Sequence, residues 1–111
     1  VPIAQHFTDA GLEVTALGSF LEPSDLVVAR ISEASIAEGV RTIAGRADCD
    51  AVFVSCTSLR SMAAADALER EVAMPVVSSN IALLWHLLRL AGVTDDVPGR
   101  GSLFSRQLVA R

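Results

Sequence analysis

A short apolar run that ends in a polar cluster, at residues 51–60, constrains the fold of this 111-residue chain more than any other feature. Residues 51–54 are Ala-Val-Phe-Val, residues 55–58 are Ser-Cys-Thr-Ser, and an alanine-rich helical pattern follows them. An apolar run of this length without alternation predicts a strand that is buried on both faces of a sheet. The polar cluster then lies where a parallel strand ends and a helix begins, which is where open α/β sheets bind their ligands.

Helical and strand patterns alternate along the rest of the chain. Periodicity and breaker residues predict helices over 1–11, 24–30, 32–47, 59–72 and 81–91, and strands over 13–20, 51–55 and 76–78, while the pattern at 102–104 allows one more short strand. Ser32 or Ser35 is expected to cap the third helix. Strands that alternate with helices predict a parallel sheet with right-handed crossovers. We therefore predict a single α/β domain over residues 1–111, in which residues 94–111 form a loop and a tail.

The predicted fold is a flavodoxin-like parallel sheet flanked by helices and lacking its first strand. A flavodoxin-like sheet has the strand order 2-1-3-4-5, so its first strand lies between the second and the third. No strand pattern precedes the helix at 1–11, which would leave a gap between the predicted strands at 13–20 and 51–55. Either an upstream segment supplies that strand, and the chain is part of a longer protein, or the strand at 13–20 pairs differently.

Composition and charge argue against several classes of function. Hydrophobic residues make up 51% of the chain and charged residues 20%, which argues against disorder. The net charge of -4 offers no basic surface, so we expect neither a nucleic acid nor a membrane as partner. Cys49 and Cys56 have neither zinc-site nor CxxC spacing. We expect free thiols, no metal site and a cytoplasmic location.

Cys56 is the residue that we single out for chemistry. A thiol at a helix N-terminus feels the positive end of the helix dipole, and its thiolate can accept hydrogen bonds from free backbone N–H groups. In that environment Cys56 would act as a nucleophile, or would give and take a proton on carbon. Free cysteine is also among the most buried residue types, so a small packed residue at the end of a strand explains Cys56 equally well.

Two pairs of polar residues begin helices at the same edge of the predicted sheet. Thr57 and Ser58 follow the thiol, and Ser79 and Asn80 follow the strand at 76–78. Hydroxyl and N–H groups at helix N-termini bind carboxylates, so we predict these four residues as substrate-binding residues. Ordinary helix capping explains the same residues, and Ser79 or Asn80 would then cap the helix at 81–91.

Other reactive side chains are expected to be structural. Cys49 lies at the opposite end of the strand at 51–55, away from the predicted crevice. His86 lies more than one helical turn beyond the crevice. No His, Asp or Glu adjoins Cys56 in the sequence, so a Cys-His hydrolase has no support.

Three segments together resemble the second half of the maleate cis–trans isomerases. They are AVFVSCTSLR at 51–60, PVVSSN at 75–80 and LWHLLRLAG at 84–92. Those enzymes belong to the aspartate/glutamate racemase superfamily, together with arylmalonate decarboxylases and a group named for ectoine utilisation. The run around Cys56 is typical of the superfamily, whereas the Ser-Ser-Asn and Leu-Trp motifs favour the maleate isomerase branch.

The resemblance implies a cofactor-independent enzyme with its active site between two similar α/β domains. Each domain typically supplies one cysteine, and Cys56 matches the second-domain cysteine, which assists by proton transfer while the other thiol adds to the double bond. Thr57 and Ser58 match positions that help to hold the carboxylate of a small mono- or dicarboxylate substrate. We therefore expect the chain to need an N-terminal domain or another subunit, to form a homo-oligomer, and to be inactive alone.

Two other functions stay open at this point. One is a non-catalytic flavodoxin-like domain for binding or assembly, in which Cys56 is inert. The other is arylmalonate-type decarboxylation, in which a lone cysteine protonates an enediolate. That reaction would need Cys56 and an oxyanion pocket from the other half of the enzyme.

Overall fold

In the part of the chain that the structure describes, two short parallel strands lie among five α-helices. The computed structural model describes residues 3–21, 23–46, 48–56 and 62–109. In chain order the elements are helices α1 (Ile3–Asp9), α2 (Asp25–Val28) and α3 (Glu33–Arg46), strand β1 (Val52–Val54), a 3₁₀ turn (Met62–Ala64) that leads into α4 (Ala65–Val72), strand β2 (Val76–Ser78), α5 (Ser79–Leu90) and a 3₁₀ helix (Ser102–Ser105). The predicted alternation of helix and strand is confirmed from α3 to α5.

Strands β1 and β2 lie side by side in parallel. Val52 pairs with Val76, and Val54 pairs with Ser78, so the two strands end level with each other. Parallel neighbours need a crossover, and α4 supplies it between β1 and β2. The residues that follow the two strands therefore lie at the same edge of the sheet.

The core packs helices α3 and α4 against this strand pair. Val52 and Val76 form one buried cluster with Ala37 and Val40 of α3 and Leu68 of α4. Burying a Val or Leu side chain contributes roughly 1.5–3 kcal/mol. This cluster therefore stabilises the register of β1 against β2, and with it the position of the strand ends.

Two further contacts attach the terminal helices. Ala65, Ile81 and Phe104 form a second buried cluster, which joins α5 and the 3₁₀ helix to the start of α4. The ring of Phe7 in α1 meets the ring of Phe53 edge-on, with 4.9 Å between their centroids. Because side chains alternate along a strand, α1 contacts the face of β1 opposite to Val52.

Helix α3 begins at Glu33, directly after the residue that caps it. The Ser32 hydroxyl accepts the backbone N–H of Ser35 at 3.1 Å, so Ser32 and not Ser35 is the N-cap. The helix then continues for 14 residues to Arg46. The helix predicted over 59–72 is seen from Met62 onward, and its first residues lie outside the described part of the chain.

The strand predicted over 13–20 is wrong. Residues 12–21 have no regular structure, and Leu17 and Leu21 are 65% and 86% exposed. A strand needs a neighbouring strand that forms hydrogen bonds with its backbone N–H and C=O groups. Among the described residues the sheet contains β1 and β2 alone, so the apolar pattern of this segment has no strand to pair with.

The strand considered at 102–104 is also wrong, because these residues belong to a 3₁₀ helix. The Glu69 carboxylate accepts the N–H of Ser102 at 2.9 and 3.1 Å, and the N–H of Arg106 returns to the carbonyl of Leu103. Phe104 is fully buried between these contacts. A carboxylate at the first N–H groups and a buried aromatic ring favour a helical turn over an extended segment.

Arg89 holds the chain beyond α5 in place. It is 6% exposed and donates hydrogen bonds to four backbone carbonyl oxygens, those of Val93, Asp95, Phe104 and Arg106. A buried charge is costly unless its hydrogen-bonding groups find partners. Here the carbonyls supply those partners, so Arg89 fastens the last described part of the chain to α5.

Replacing Leu68 by alanine tests the role of the first cluster. Leu68 is 2% exposed, so L68A should lower the free energy of unfolding by about 2–5 kcal/mol, measured by urea denaturation followed by circular dichroism. The matched control is L90A, since Leu90 is 65% exposed, and it should change stability by no more than about 0.5 kcal/mol. Equal losses in the two variants would contradict this account of the core.

Candidate active site at the ends of the two strands

The ends of β1 and β2 meet through one hydrogen bond. The backbone N–H of Cys56 donates to the Ser79 hydroxyl oxygen at 3.0 Å, although 23 positions separate the two residues in the chain. Cys56 follows β1 by two residues, and Ser79 is the first residue of α5, directly after β2. The level ends of the strands therefore bring together two of the residues that the sequence predicted for the site.

Cys56 has an unusual backbone conformation. Its φ is 111°, in a region that glycine adopts freely and other residues rarely do. Leu21 and Ala73, the other non-glycine residues of the described structure with positive φ, have values of 55° and 58° and so fall in the ordinary left-handed well. Such a conformation costs of order 1–3 kcal/mol and persists only when its surroundings enforce it.

The Cys56 side chain is half-buried against apolar residues. It packs on the cluster formed by Val28 and Ile36, together with Val54. Val28 belongs to α2 and Ile36 to α3, so these two helices fix the place of the thiol. The packing interpretation of Cys56 therefore has support, and it is compatible with chemistry because the residue keeps part of its surface.

Ser78, and not Ser79 or Asn80, caps α5. The Ser78 side chain is almost fully buried, and its hydroxyl accepts the N–H of Ile81 at 3.1 Å. The predicted cap was wrong because the helix begins at Ser79, which leaves Ser78 as the residue with extended φ and ψ just before it. As a consequence the Ser79 hydroxyl is available to Cys56.

The remaining predicted site residues are placed as follows. Asn80 is half-buried in the first turn of α5. Thr57 and Ser58 lie outside the described residues. The sequence placed Ser78 at the end of the strand over 76–78, and its role as the cap of α5 was not predicted.

The other cysteine and the histidine lie away from this contact. The Cys49 thiol is half-buried and approaches the Met74 sulfur at 3.5 Å, at the opposite end of β1. His86 is exposed on α5, and its ring stacks on the indole of Trp85. The position of Cys49 agrees with the expectation, whereas His86 is exposed rather than part of the core.

Two of the three acidic side chains of α4 accept hydrogen bonds from backbone N–H groups of the chain itself. Asp66 accepts the N–H of Gly101 at 2.7 Å, and Glu69 accepts the N–H of Val76 at 3.0 Å as well as that of Ser102. Within the described residues no three His, Cys, Asp or Glu side chains are placed to hold a metal ion, and no helix is long and apolar enough to cross a membrane.

The one pair of side chains with clearly perturbed ionisation, within the described structure, lies on the surface between α3 and α4. A hydrogen bond to Glu71 raises the pKa of Arg41, and the same bond lowers the pKa of the Glu71 carboxyl. Both groups are exposed, and exposed ion pairs contribute little to stability. This pair is not part of the contact between Cys56 and Ser79.

Residues 1–104 match the family model of arylmalonate decarboxylase. The chain belongs to the arylmalonate decarboxylase family. It is 37% identical to an arylmalonate decarboxylase from Bordetella bronchiseptica over 79 residues, which cover 69% of this chain and 33% of that protein. It is 28% identical to a maleate isomerase from Geobacillus stearothermophilus over 104 residues, which cover 93% of this chain and 41% of that enzyme.

Solved structures of arylmalonate decarboxylase share the fold of this chain. A mutant in its sulfate-associated form matches with a TM-score of 0.83 at 30% identity, over 94% of this chain and 46% of the other. The unliganded enzyme matches with a TM-score of 0.81 at 31% identity, over 92% and 45%. The predicted flavodoxin-like α/β class and the superfamily are thus confirmed. The chain spans less than half the length of these relatives, and the preference for the maleate isomerase branch stays a prediction.

The reactivity of the two thiols distinguishes a chemical role of Cys56 from a packing role. A chemical role for Cys56 predicts that iodoacetamide at about pH 7 modifies Cys56 at least ~5-fold faster than Cys49, whereas packing roles for both cysteines predict similar rates. Mass spectrometry of the two cysteine peptides measures both rates in one sample. Cys49 is the internal control, and a Cys56 that reacts no faster than Cys49 would favour the non-catalytic domain.

Proposed function

We propose that this chain forms part of a cofactor-independent enzyme in which the Cys56 thiol gives a proton to, or takes one from, a carbon atom next to a carboxylate. Family membership over residues 1–104 carries the proposal, because the relatives are an enzyme that removes a carboxyl group and one that isomerises a dicarboxylate. The conformation of Cys56, at the edge where open α/β sheets generally bind ligands, supports the choice of this residue.

Decarboxylation is favoured by the family model and by the higher identity to the decarboxylase. In that reaction the bond between the α-carbon and one carboxylate breaks, and carbon dioxide leaves. The electron pair remains on the substrate as an enediolate. The Cys56 thiol then gives its proton to the α-carbon and recovers one from water, so a single thiol is enough.

Cis–trans isomerisation is favoured by the maleate isomerase, whose similarity extends over 93% of the chain. A thiolate from the rest of the protein would add to one carbon of the double bond, and Cys56 would protonate the other carbon. The former double bond is then a carbon–carbon single bond. After rotation about it, Cys56 would take a proton back while the carbon–sulfur bond breaks and the double bond forms again. This route needs two thiols and leaves both unchanged at the end.

The polar residues near Cys56 would hold the substrate carboxylate in either reaction. A serine hydroxyl has one donor and two acceptor positions, so Ser79 can accept the Cys56 N–H and still donate to a carboxylate oxygen. Thr57, Ser58 and Asn80 remain proposed as further donors. A partner domain or subunit would close the crevice over them, and the account includes no cofactor.

A chimera tests the proposal. We suggest replacing the matching segment of the Bordetella bronchiseptica arylmalonate decarboxylase with this chain and following arylmalonate decarboxylation by NMR. The chimera should be active, and C56A should lower its rate by about 10²–10⁴-fold because the proton donor is lost. C49A is the matched control and should retain the rate of the chimera.

The chain by itself provides the second arm of the experiment. Incubated with maleate or an arylmalonate, it should form no fumarate and no decarboxylated product, since the sample lacks the partner domain or subunit that would complete the pocket. Turnover by the chain alone that C56A abolishes and C49A does not would contradict the need for a partner. A C56A chimera as active as its parent would overturn the role of Cys56.

A further inference from the structure

We propose that Ser79 is a positioning residue for Cys56: its hydroxyl holds the cysteine backbone in the left-handed region and thereby sets where the thiol points. The inference rests on the proposed role of Cys56 and deepens it, because it names what keeps the thiol in place. It starts from the 3.0 Å hydrogen bond between the Cys56 N–H and the Ser79 hydroxyl oxygen.

The φ of Cys56 gives this hydrogen bond its importance. At 111° the residue lies outside the conformations that a side-chain-bearing residue prefers, so some contact must oppose its return to negative φ. Rotation about φ turns the whole remainder of the residue, including the Cα–Cβ bond, relative to its N–H group. The bond to Ser79 holds the N–H side of this rotation, and packing on the cluster of Val28 and Ile36 holds the side-chain side, so φ is held only while both contacts are present.

Ser78 and Ser79 accept different N–H groups, and this leaves the Ser79 hydroxyl available to Cys56. The Ser78 hydroxyl is committed to the N–H of Ile81, and Ser78 is almost fully buried. Ser79 is the first residue of α5, and the Ser78 cap anchors that helix start. The Ser79 hydroxyl is thus held on a capped helix that adjoins β2, which is a firmer support than a loop would provide.

The apolar contacts of Cys56 complete the constraint. Val28 and Ile36 pack against the thiol side from α2 and α3, while Ser79 holds the backbone side from α5. Loss of the Ser79 hydroxyl would leave the packing in place but free the peptide to rotate. We therefore expect a change in thiol reactivity without loss of the fold.

The test compares S79A with the wild-type chain by alkylation. With Cys49 as the internal reference, S79A should change the Cys56-to-Cys49 rate ratio by at least ~5-fold and alter the pH dependence of Cys56 alkylation. S79T keeps a hydroxyl and should restore the ratio to within about twofold. S105A removes a serine hydroxyl from the distant 3₁₀ helix and should leave the ratio unchanged.

Amide hydrogen exchange separates positioning from a general loss of stability. The Cys56 N–H should exchange roughly tenfold faster in S79A, whereas the Val52 N–H, which is bonded to the Pro75 carbonyl, should keep its rate. Equal acceleration of both amides, or an unaltered Cys56 ratio and pH dependence, would overturn the inference.

A second pair of variants keeps the result clear if S79A folds poorly. S79T and S79V have nearly the same shape and differ by the hydroxyl, so only S79T should behave like the wild-type chain. The same rate ratio in both variants would overturn the inference. Because none of these readouts uses turnover, the inference can fail while the C56A chimera still supports the proposed function.

Discussion

The parallel pairing of β1 and β2 in one register is the constraint on which the rest of the structure depends. Pairing Val54 with Ser78 makes the strands end level, and this puts Cys56 within hydrogen-bonding distance of Ser79. A shift of the register by one residue would reverse the faces of every side chain on the shifted strand and remove Val52 or Val76 from the core. The apolar cluster under the sheet and the polar contact at its edge therefore depend on the same alignment.

The site as described relies on backbone geometry more than on charge. The perturbed ionisable pair, Arg41 and Glu71, lies on the surface between α3 and α4, and the other two acidic side chains of α4, Asp66 and Glu69, accept backbone N–H groups. What distinguishes Cys56 is a positive φ and a peptide N–H directed at Ser79. Its reactivity would then come from conformation and from the start of α5 beside it, with the substrate carboxylate bringing the negative charge.

The sequence predicted the features that arise from local pattern. The apolar run before Cys56 identified β1, the Val-Val-Ser segment identified β2, and the expected meeting of their ends is what the Ser79 contact shows. The fold class followed from the alternation of strands and helices, and the structural relatives confirm it. Local rules suffice in these cases because burial and chain order act over only a few residues.

Prediction failed where a distant partner decides the outcome. The segment over 13–20 has the apolar composition of a strand but pairs with no described strand. Residues 102–104 form a 3₁₀ helix because Glu69, 33 positions away, accepts the Ser102 N–H. The cap of α5 was predicted at Ser79 or Asn80 and lies at Ser78, since three adjacent polar residues satisfy the sequence rule equally well. The φ of Cys56 could not be foreseen, because the contacts around this residue come from α2, α3 and α5, which lie elsewhere in the chain.

The charge preference of the thiol tests most directly the central claim that Cys56 faces a carboxylate-binding crevice. Iodoacetate carries a carboxylate, and iodoacetamide is its neutral counterpart. For each cysteine, the rate of alkylation by iodoacetate is divided by the rate of alkylation by iodoacetamide. Dividing the ratio at Cys56 by the ratio at Cys49 then isolates the effect of the site. We expect this quotient to be about five or more, since N–H and hydroxyl groups at helix starts attract anions. A quotient of one or below would contradict it.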